Sequence, residues 1–189
     1  MALSVEDILL DNIKEALTLY QSSLVWATTA ALSGGLIVLG FRDPNPVTIE
    51  ILSGKLSGPL AWFIAQVLYL VFGGLALASL RRYGASLKAL NPSLEIFNAI
   101  QMFPSLATLP GSFFRIGSVL LPLVVTYVSW TIEMIREQRG KPYDLELIWG
   151  ALLLAVILLM PYAGILGMLK ELRRMPLPVS KAIAKTQGA

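Results

Sequence analysis

The chain contains no cysteine and no histidine, and only 14% of its 189 residues are charged. The first two absences remove the side chains behind most metal, haem, iron–sulfur, disulfide and nucleophile chemistry. Histidine-ligated haem, cysteine–histidine zinc, Ser-His-Asp and Cys-His catalysis, and CxxC exchange each need a residue type that is missing. The shortage of charge argues against an ordinary water-soluble domain, whose composition includes roughly 25% charged residues. The formal net charge of +3 is small and dispersed, whereas nucleic-acid binding calls for a concentrated basic face, so no nucleic-acid partner is expected.

What the chain has in excess is apolar sequence, with 56% hydrophobic residues. About 20 apolar residues at a rise of 1.5 Å cover a hydrocarbon core of about 30 Å, and four runs approach that length. They extend from Ser22 to Phe41, Pro59 to Leu80, Ile116 to Ile132 and Leu147 to Leu169. The predicted object is an all-α integral membrane protein. It is a four-transmembrane-helix bundle in which residues 1–175 form one polytopic domain and residues 176–189, after the Pro176-Leu177-Pro178 break, form a flexible basic tail.

Two further helices are expected. Ser4 and Asp7 resemble a capping box, and Leu9, Ile13, Ala16 and Tyr20 then recur on one face of an amphipathic N-terminal helix. That start is acidic, the reverse of a signal peptide's basic opening, so the N-terminus is expected to be retained. Asn91 and Pro92 suit the N-cap and first position of a second helix. With Ile96, Phe97, Ile100 and Phe103 on one face, it is expected to lie at the membrane interface between spans two and three. Asp43-Pro44-Asn45-Pro46 marks a turn, followed by Val47, Ile49 and Ile51 alternating with polar residues as a short strand or an interfacial segment.

Orientation follows from the Lys and Arg residues beside the spans. With four crossings, Lys14, Arg81, Arg82, Lys88, Arg115, Lys170, Arg173, Arg174, Lys181 and Lys185 share one side, ten against the five of Arg42, Lys55, Arg136, Arg139 and Lys141. Both termini are therefore expected in the cytoplasm. A three-span chain, without the short third run, is the competing topology. Arg81, Arg82, Lys170, Arg173 and Arg174 are candidates for contact with anionic lipid headgroups.

Small residues at four-residue and related spacings let membrane helices approach closely: Ala27, Ala31 and Gly35; Gly74 and Ala78; Ala151, Ala155, Gly164 and Gly167. These rows suit packing within one bundle or contact with another chain. Pro122 and Pro161 interrupt spans three and four, and the Tyr162 hydroxyl can meet a carbonyl freed by the proline. Thr126, Trp130 and Glu133 share a helix face that suits either a polar cavity or an interfacial helix end with Trp130 in the aromatic belt. Gln66 suits an interhelical hydrogen bond, and Trp62 and Trp149 suit the belt. The apolar face of Leu9, Ile13, Ala16 and Tyr20 needs a cover, with a partner protein, a second copy, the basic tail or the surface helix as candidates.

Catalytic arrangements are poorly supplied. An aspartyl pair would have to come from Asp43 and Asp144, both in loops, and a Ser–Lys dyad from Lys55 with Ser53 or Ser57. No phosphate loop, EF-hand spacing or metal cluster occurs in the sequence. The expected function is thus noncatalytic: an accessory, scaffold or assembly subunit of a membrane complex. Its expected partners are membrane lipids and other subunits or its own copies, with a bound lipid compatible and no cofactor or metal implied. The alternative is a small oligomeric pore, transporter or membrane-permeabilising effector. An enzyme acting on lipid through Asp43, Asp144 or Glu50 is the third possibility.

Overall fold

The computed structural model describes residues 4–40, 49–51, 54–56, 58–90, 94–103, 105–108, 112–138 and 145–174. The expected turn at Asp43 to Pro46, the helix start at Asn91-Pro92 and the tail 176–189 lie outside the described residues. The chain is predominantly helical: α1 (Val5–Gly40), α2 (Gly58–Leu90), α3 (Leu94–Gln101), α4 (Ser112–Gln138) and α5 (Leu145–Arg174). A two-stranded antiparallel ribbon, β1 (Ile49–Ile51) and β2 (Gly54–Leu56), stands between α1 and α2, with Glu50 in register with Lys55. The alternation at 47–51 therefore resolves as a strand over its described part.

Three helices are long and apolar enough to cross a membrane: α2 over Leu60–Leu90, α4 over Arg115–Ile132 and α5 over Leu152–Leu172. Helix α1, with 36 residues, has the length but is not among them. From Ser22 it is uncharged to the end of the helix, past Val38, the last of its side chains among the described residues.

The N-terminal amphipathic segment is helical and continuous with the first apolar stretch, as its sequence allowed, because nothing between Tyr20 and Ser22 interrupts the backbone ladder. Its start is fixed by a reciprocal capping box. The Ser4 backbone N–H donates to Asp7 Oδ2 at 3.2 Å, and the Asp7 N–H donates to Ser4 Oγ at 3.1 Å. The Ser4 hydroxyl also donates to the same carboxylate at 2.7 Å, and these bonds from Ser4 hold the Asp7 carboxyl below its ordinary value. Likewise Arg81 and Arg82 end an apolar run without ending a helix: α2 continues to Leu90.

The two extensions explain each other. Helices α1 and α2 form an antiparallel pair, with the most extensive contact in the molecule. Arg82 Nη2 donates to Asn12 Oδ1 at 2.6 Å and to Glu15 Oε2 at 2.8 Å, while Gly34 lies against Ala65 and Gln66. The buried residues of α1 repeat every seven positions, as Ile13, Tyr20, Ala27 and Gly34, then Leu17, Leu24, Ala31 and Val38, with Ala16, Ser23 and Ala30 between them. Helix α2 buries residues at the same period, Gln66, Gly73, Leu80 and Leu87 and then Tyr69, Ala76 and Tyr83, of which Gly73 and Tyr69 lie against Tyr162 of α5. A seven-residue repeat is the period of left-handed helix pairs, and small side chains along it let the backbones come close.

The other helices dock on this pair to complete one hydrophobic core. Helix α5 runs parallel to α2, with Gly73 beside Tyr162, Gly164 beside Leu77 and Lys88 Nζ 2.9 Å from Glu171 Oε1. Helix α4 packs on α1, where Gly35 meets Val125, and on α5. Successive long helices thus alternate in direction, and Val5 and Arg174 lie at the same end. There the segment after α3 is fastened to α1, with Ser105 Oγ donating to the Leu17 carbonyl at 3.4 Å. Ile100 is buried in the core and Ile96, Phe97 and Phe103 pack against it.

The packing glycines on α2 and α5 are defined by their opposite numbers. A Cβ on Gly73 would stand 2.9 Å from the Tyr162 ring, whereas one on the neighbouring Gly74 would meet nothing within 4 Å. Gly73→Ala is therefore expected to destabilise the bundle by about 1–3 kcal/mol, because the stacked ring has nowhere to move. Gly74→Ala should stabilise by up to about 1 kcal/mol through helix propensity. Reversible unfolding of the two variants in micelles checks this opposition of sign. A second expectation concerns the cap: with the Asp7 carboxyl held below its ordinary value of 3.8, its contribution to α1 is complete above that pH and is lost as pH falls through the folded value. Ser4→Ala should bring the Asp7 titration, followed by carboxyl NMR shifts, back up toward 3.8.

Candidate functional site

Hydroxyl-bearing residues inside apolar helices usually turn back on their own backbone, since nothing else there can satisfy them. Thr28 donates to the Leu24 carbonyl at 2.8 Å, Thr29 to Val25 at 3.0 Å, Ser79 to Leu75 at 2.7 Å and Ser129 to Thr126 at 2.9 Å. Against that pattern a different set of polar groups stands out. Trp62, Gln66 and Tyr69 follow one another on a single face of α2 at spacings of four and three, with Thr126 on α4. Trp62 Nε1, both side-chain polar atoms of Gln66, the Tyr69 hydroxyl and Thr126 Oγ1 are buried with no hydrogen-bond partner among the described residues.

Tyr69 is held from the other side by Tyr162. Their rings stack with centroids 4.7 Å apart and planes 14° from parallel. The Tyr162 hydroxyl donates to the backbone carbonyl of Tyr69 at 3.3 Å. In a helix that carbonyl also accepts from the N–H of residue 73, one turn on. Glycine at 73 leaves the second lone pair open to an approaching hydroxyl, which a Cβ would block. Tyr162 thus bonds a carbonyl of a neighbouring helix, not one freed by Pro161, and both α4 and α5 run through their prolines as continuous helices.

A recess lies between α2, α4 and α5, lined by Tyr69, Leu123, Thr126, Trp130 and Leu158, with Tyr127 and Leu159 exposed beside it. Two of the three residues expected to form a polar cavity, Thr126 and Trp130, do share a cavity. The side chain of Glu133 lies outside the described residues. No group of three or more acidic side chains that could hold a metal ion occurs among the described residues.

The remaining candidate residues fall as follows. Ile13, Ala16 and Tyr20 are buried within the chain, with Leu9 half-buried, so of the covers considered for this face the chain itself supplies one. The extension of α2 past Arg82 supplies the cover. Ala27, Ala31, Ala155 and Gly164 lie in helix contacts, as does Gly35, although Gly34 is the residue that meets α2. Gly74, Ala78 and Gly167 face outward, and Gly73 occupies the contact expected of Gly74; the side chain of Ala151 is not described.

Arg81 and Lys170 are exposed, while Arg82 is tied to Glu15 and Asn12; the side chains of Arg173 and Arg174 lie outside the described residues. Gln66 makes no hydrogen bond to another helix among the described residues, Trp62 is half-buried with its indole N–H buried, and Trp149 is exposed. Asp43, Ser53, Ser57 and Asp144 lie outside the described residues. No family model, curated protein or solved structure matches this chain.

Removing the single hydroxyl in Tyr162→Phe is expected to cost about 0.5–1 kcal/mol, the value of one neutral hydrogen bond, with the ring stack kept. Tyr162→Ala removes the ring from between Gly73 and Tyr69 and should cost about 3–5 kcal/mol. Unfolding of both variants in micelles gives the ratio directly.

Proposed function

We propose that the chain is a noncatalytic, multi-pass subunit of a membrane complex. In this reading it crosses the bilayer four times, keeps both termini in the cytoplasm and uses the end of its α1–α2 pair for assembly with other subunits or copies of itself. The observation that supports it is a change, at one common level of the bundle, in what the long helices expose. Up to Gln21, α1 exposes Glu6, Asp7, Asp11, Lys14, Glu15 and Thr18; beyond Ser22 it exposes Val25, Trp26, Leu32 and Leu36. Helix α2 exposes Phe63, Val67 and Val71 and then Arg81, Arg82 and Lys88, and α5 exposes Val156 and Met160 and then Lys170 and Glu171.

An apolar belt ending in charge at one level suits a bundle set in lipid. The half of α1 beside the candidate span of α2 supplies the fourth crossing. Its alanines and glycines let it pack closely on α2. At about 1.5 Å per residue, α1 and α2 measure about 54 and about 50 Å, well beyond a hydrocarbon core of about 30 Å. The excess stands in water as a rigid, charged stalk. Lys14, Arg81, Arg82, Lys88, Arg115 and Lys170 all gather toward that end, which the positive-inside rule places in the cytoplasm. Arg81 and Lys170 are the side chains available there to lipid headgroups.

Native mass spectrometry from mild detergent tests the proposal. A stoichiometric companion or a defined homo-oligomer is expected, lost on Glu6→Lys/Asp11→Lys while helicity persists. A lone monomer at all detergent levels overturns it. A second reading, a small oligomeric pore or transporter, draws on the unpartnered polar atoms of Gln66, Tyr69 and Thr126. It gains if the purified protein alone releases ions from liposomes and Glu133→Ala abolishes the release.

A further inference from the structure

We propose that the recess between α2, α4 and α5 is a mid-bilayer binding site for a neutral, lipid-soluble molecule with a hydroxyl or carbonyl head. The Tyr69 and Thr126 hydroxyls hold that head, and the apolar remainder passes out beside Tyr127 and Leu159. This goes beyond the subunit reading and stands or falls separately from it.

The argument begins with the two hydroxyls. Tyr69 is 0% and Thr126 2% exposed; their hydroxyls lie near one another, and neither has a partner in hydrogen-bond geometry among the described residues. A buried polar group left unpaired costs about 1–3 kcal/mol, so two such groups lining one recess favour a ligand that pairs with both. The hydroxyls of Thr28, Thr29, Ser79 and Ser129 are satisfied by their own helices, whereas those of Tyr69 and Thr126, like that of Tyr20 on α1, are not.

The surroundings define the ligand. Among the described residues no carboxylate, Lys or Arg lines the recess, and its lining is mostly apolar, which suits an uncharged ligand. Tyr69 lies about halfway between Leu60 and the arginines at 81 and 82, a depth that a phospholipid phosphate does not reach. Tyr127 and Leu159 are exposed at the edge of the recess, giving it an apolar mouth on the outer face of α4 and α5. The ring of Tyr69 is held by its stack on Tyr162, so its hydroxyl is presented without further ordering.

Trp130 lines the same recess and serves as the reporter. In a chain whose other three tryptophans are replaced (Trp26→Phe, Trp62→Phe, Trp149→Phe), 11-bromoundecanol is titrated in micelles and quenching of Trp130 is followed. Saturable quenching is expected, relieved by undecanol and not by undecane. Thr126→Val and Tyr69→Phe, which keep volume and remove a hydroxyl, should each weaken it about three- to tenfold, as the loss of one hydrogen bond does. Quenching that rises without a plateau, equal relief by undecane, or saturation unchanged in both variants overturns the proposal. The alcohol-against-alkane comparison needs no substitution at the site, so it decides even if a variant fails to fold.

Discussion

The structure depends on the close approach of α1 to α2. Their shared seven-residue repeat places alanine, glycine or serine at many of its positions, among them Ala16, Ser23, Ala27, Ala30, Ala31 and Gly34 on α1 and Ala65, Ala76 and Ser79 on α2. Between helices in lipid there is no hydrophobic drive, and association rests on packing and on polar contacts. A seam of small residues answers that condition by bringing backbones together over many atoms. The same seam carries larger residues, Ile13, Leu17, Tyr20, Leu80, Tyr83 and Leu87, toward the charged end. One continuous interface thus runs from small residues beside the apolar surfaces to larger ones beside the charged surfaces. Helix α5 then uses the remaining face of α2, and α4 the remaining face of α1.

Helicity and the apolar stretches were legible because a run of some twenty apolar residues admits few alternatives. Three of the four runs fall within helices that are long and apolar enough to cross a membrane. The lengths of the elements were not legible, for a physical reason: Arg81 and Arg82 change what a helix can sit in, but they are good helix formers and do not end it. The repeat in α1 was equally hidden. Where every face of a helix is apolar, polarity has no period, and the contact side is marked only by small volume. Adjacent pairs show how sharp that limit is. Gly34 and Gly35, or Gly73 and Gly74, differ by about 100° around the helix axis, and choosing between them requires knowing which neighbour lies on which side. Lateral order is a property of the fold, absent from local spacing.

The same limit separates the two halves of the candidate site. Thr126 and Trp130 share a face of one helix, a relation that spacing alone reveals. Tyr69 and Tyr162 are joined across two helices by a stack and a hydrogen bond, and no local pattern foreshadows either. The apolar face of Leu9, Ile13, Ala16 and Tyr20 was legible as a surface needing a cover, but its cover lay some seventy residues further along the chain. The described side chains therefore divide by task. Those at the charged end mostly pair with one another, as Glu15 with Arg82 and Glu171 with Lys88, and those around Tyr69 are left with unused hydrogen-bonding capacity.

Tyr162 seated over Gly73 and Leu77 seated over Gly164 form a reciprocal lock between α2 and α5, each knob filling the gap left by the other helix's glycine. Such a lock forbids one helix to slide past the other, since a shift of one turn would set both knobs against ordinary side chains. When the surrounding bilayer thins or thickens, helices adjust by tilting or bending. Helices α2 and α5 can tilt only as a unit. Among the described residues α4 has no lock of this kind with either helix, and its proline at 122 removes one rung of its backbone ladder, so the side of the recess formed by Thr126 and Trp130 is the one not tied to the α2–α5 unit.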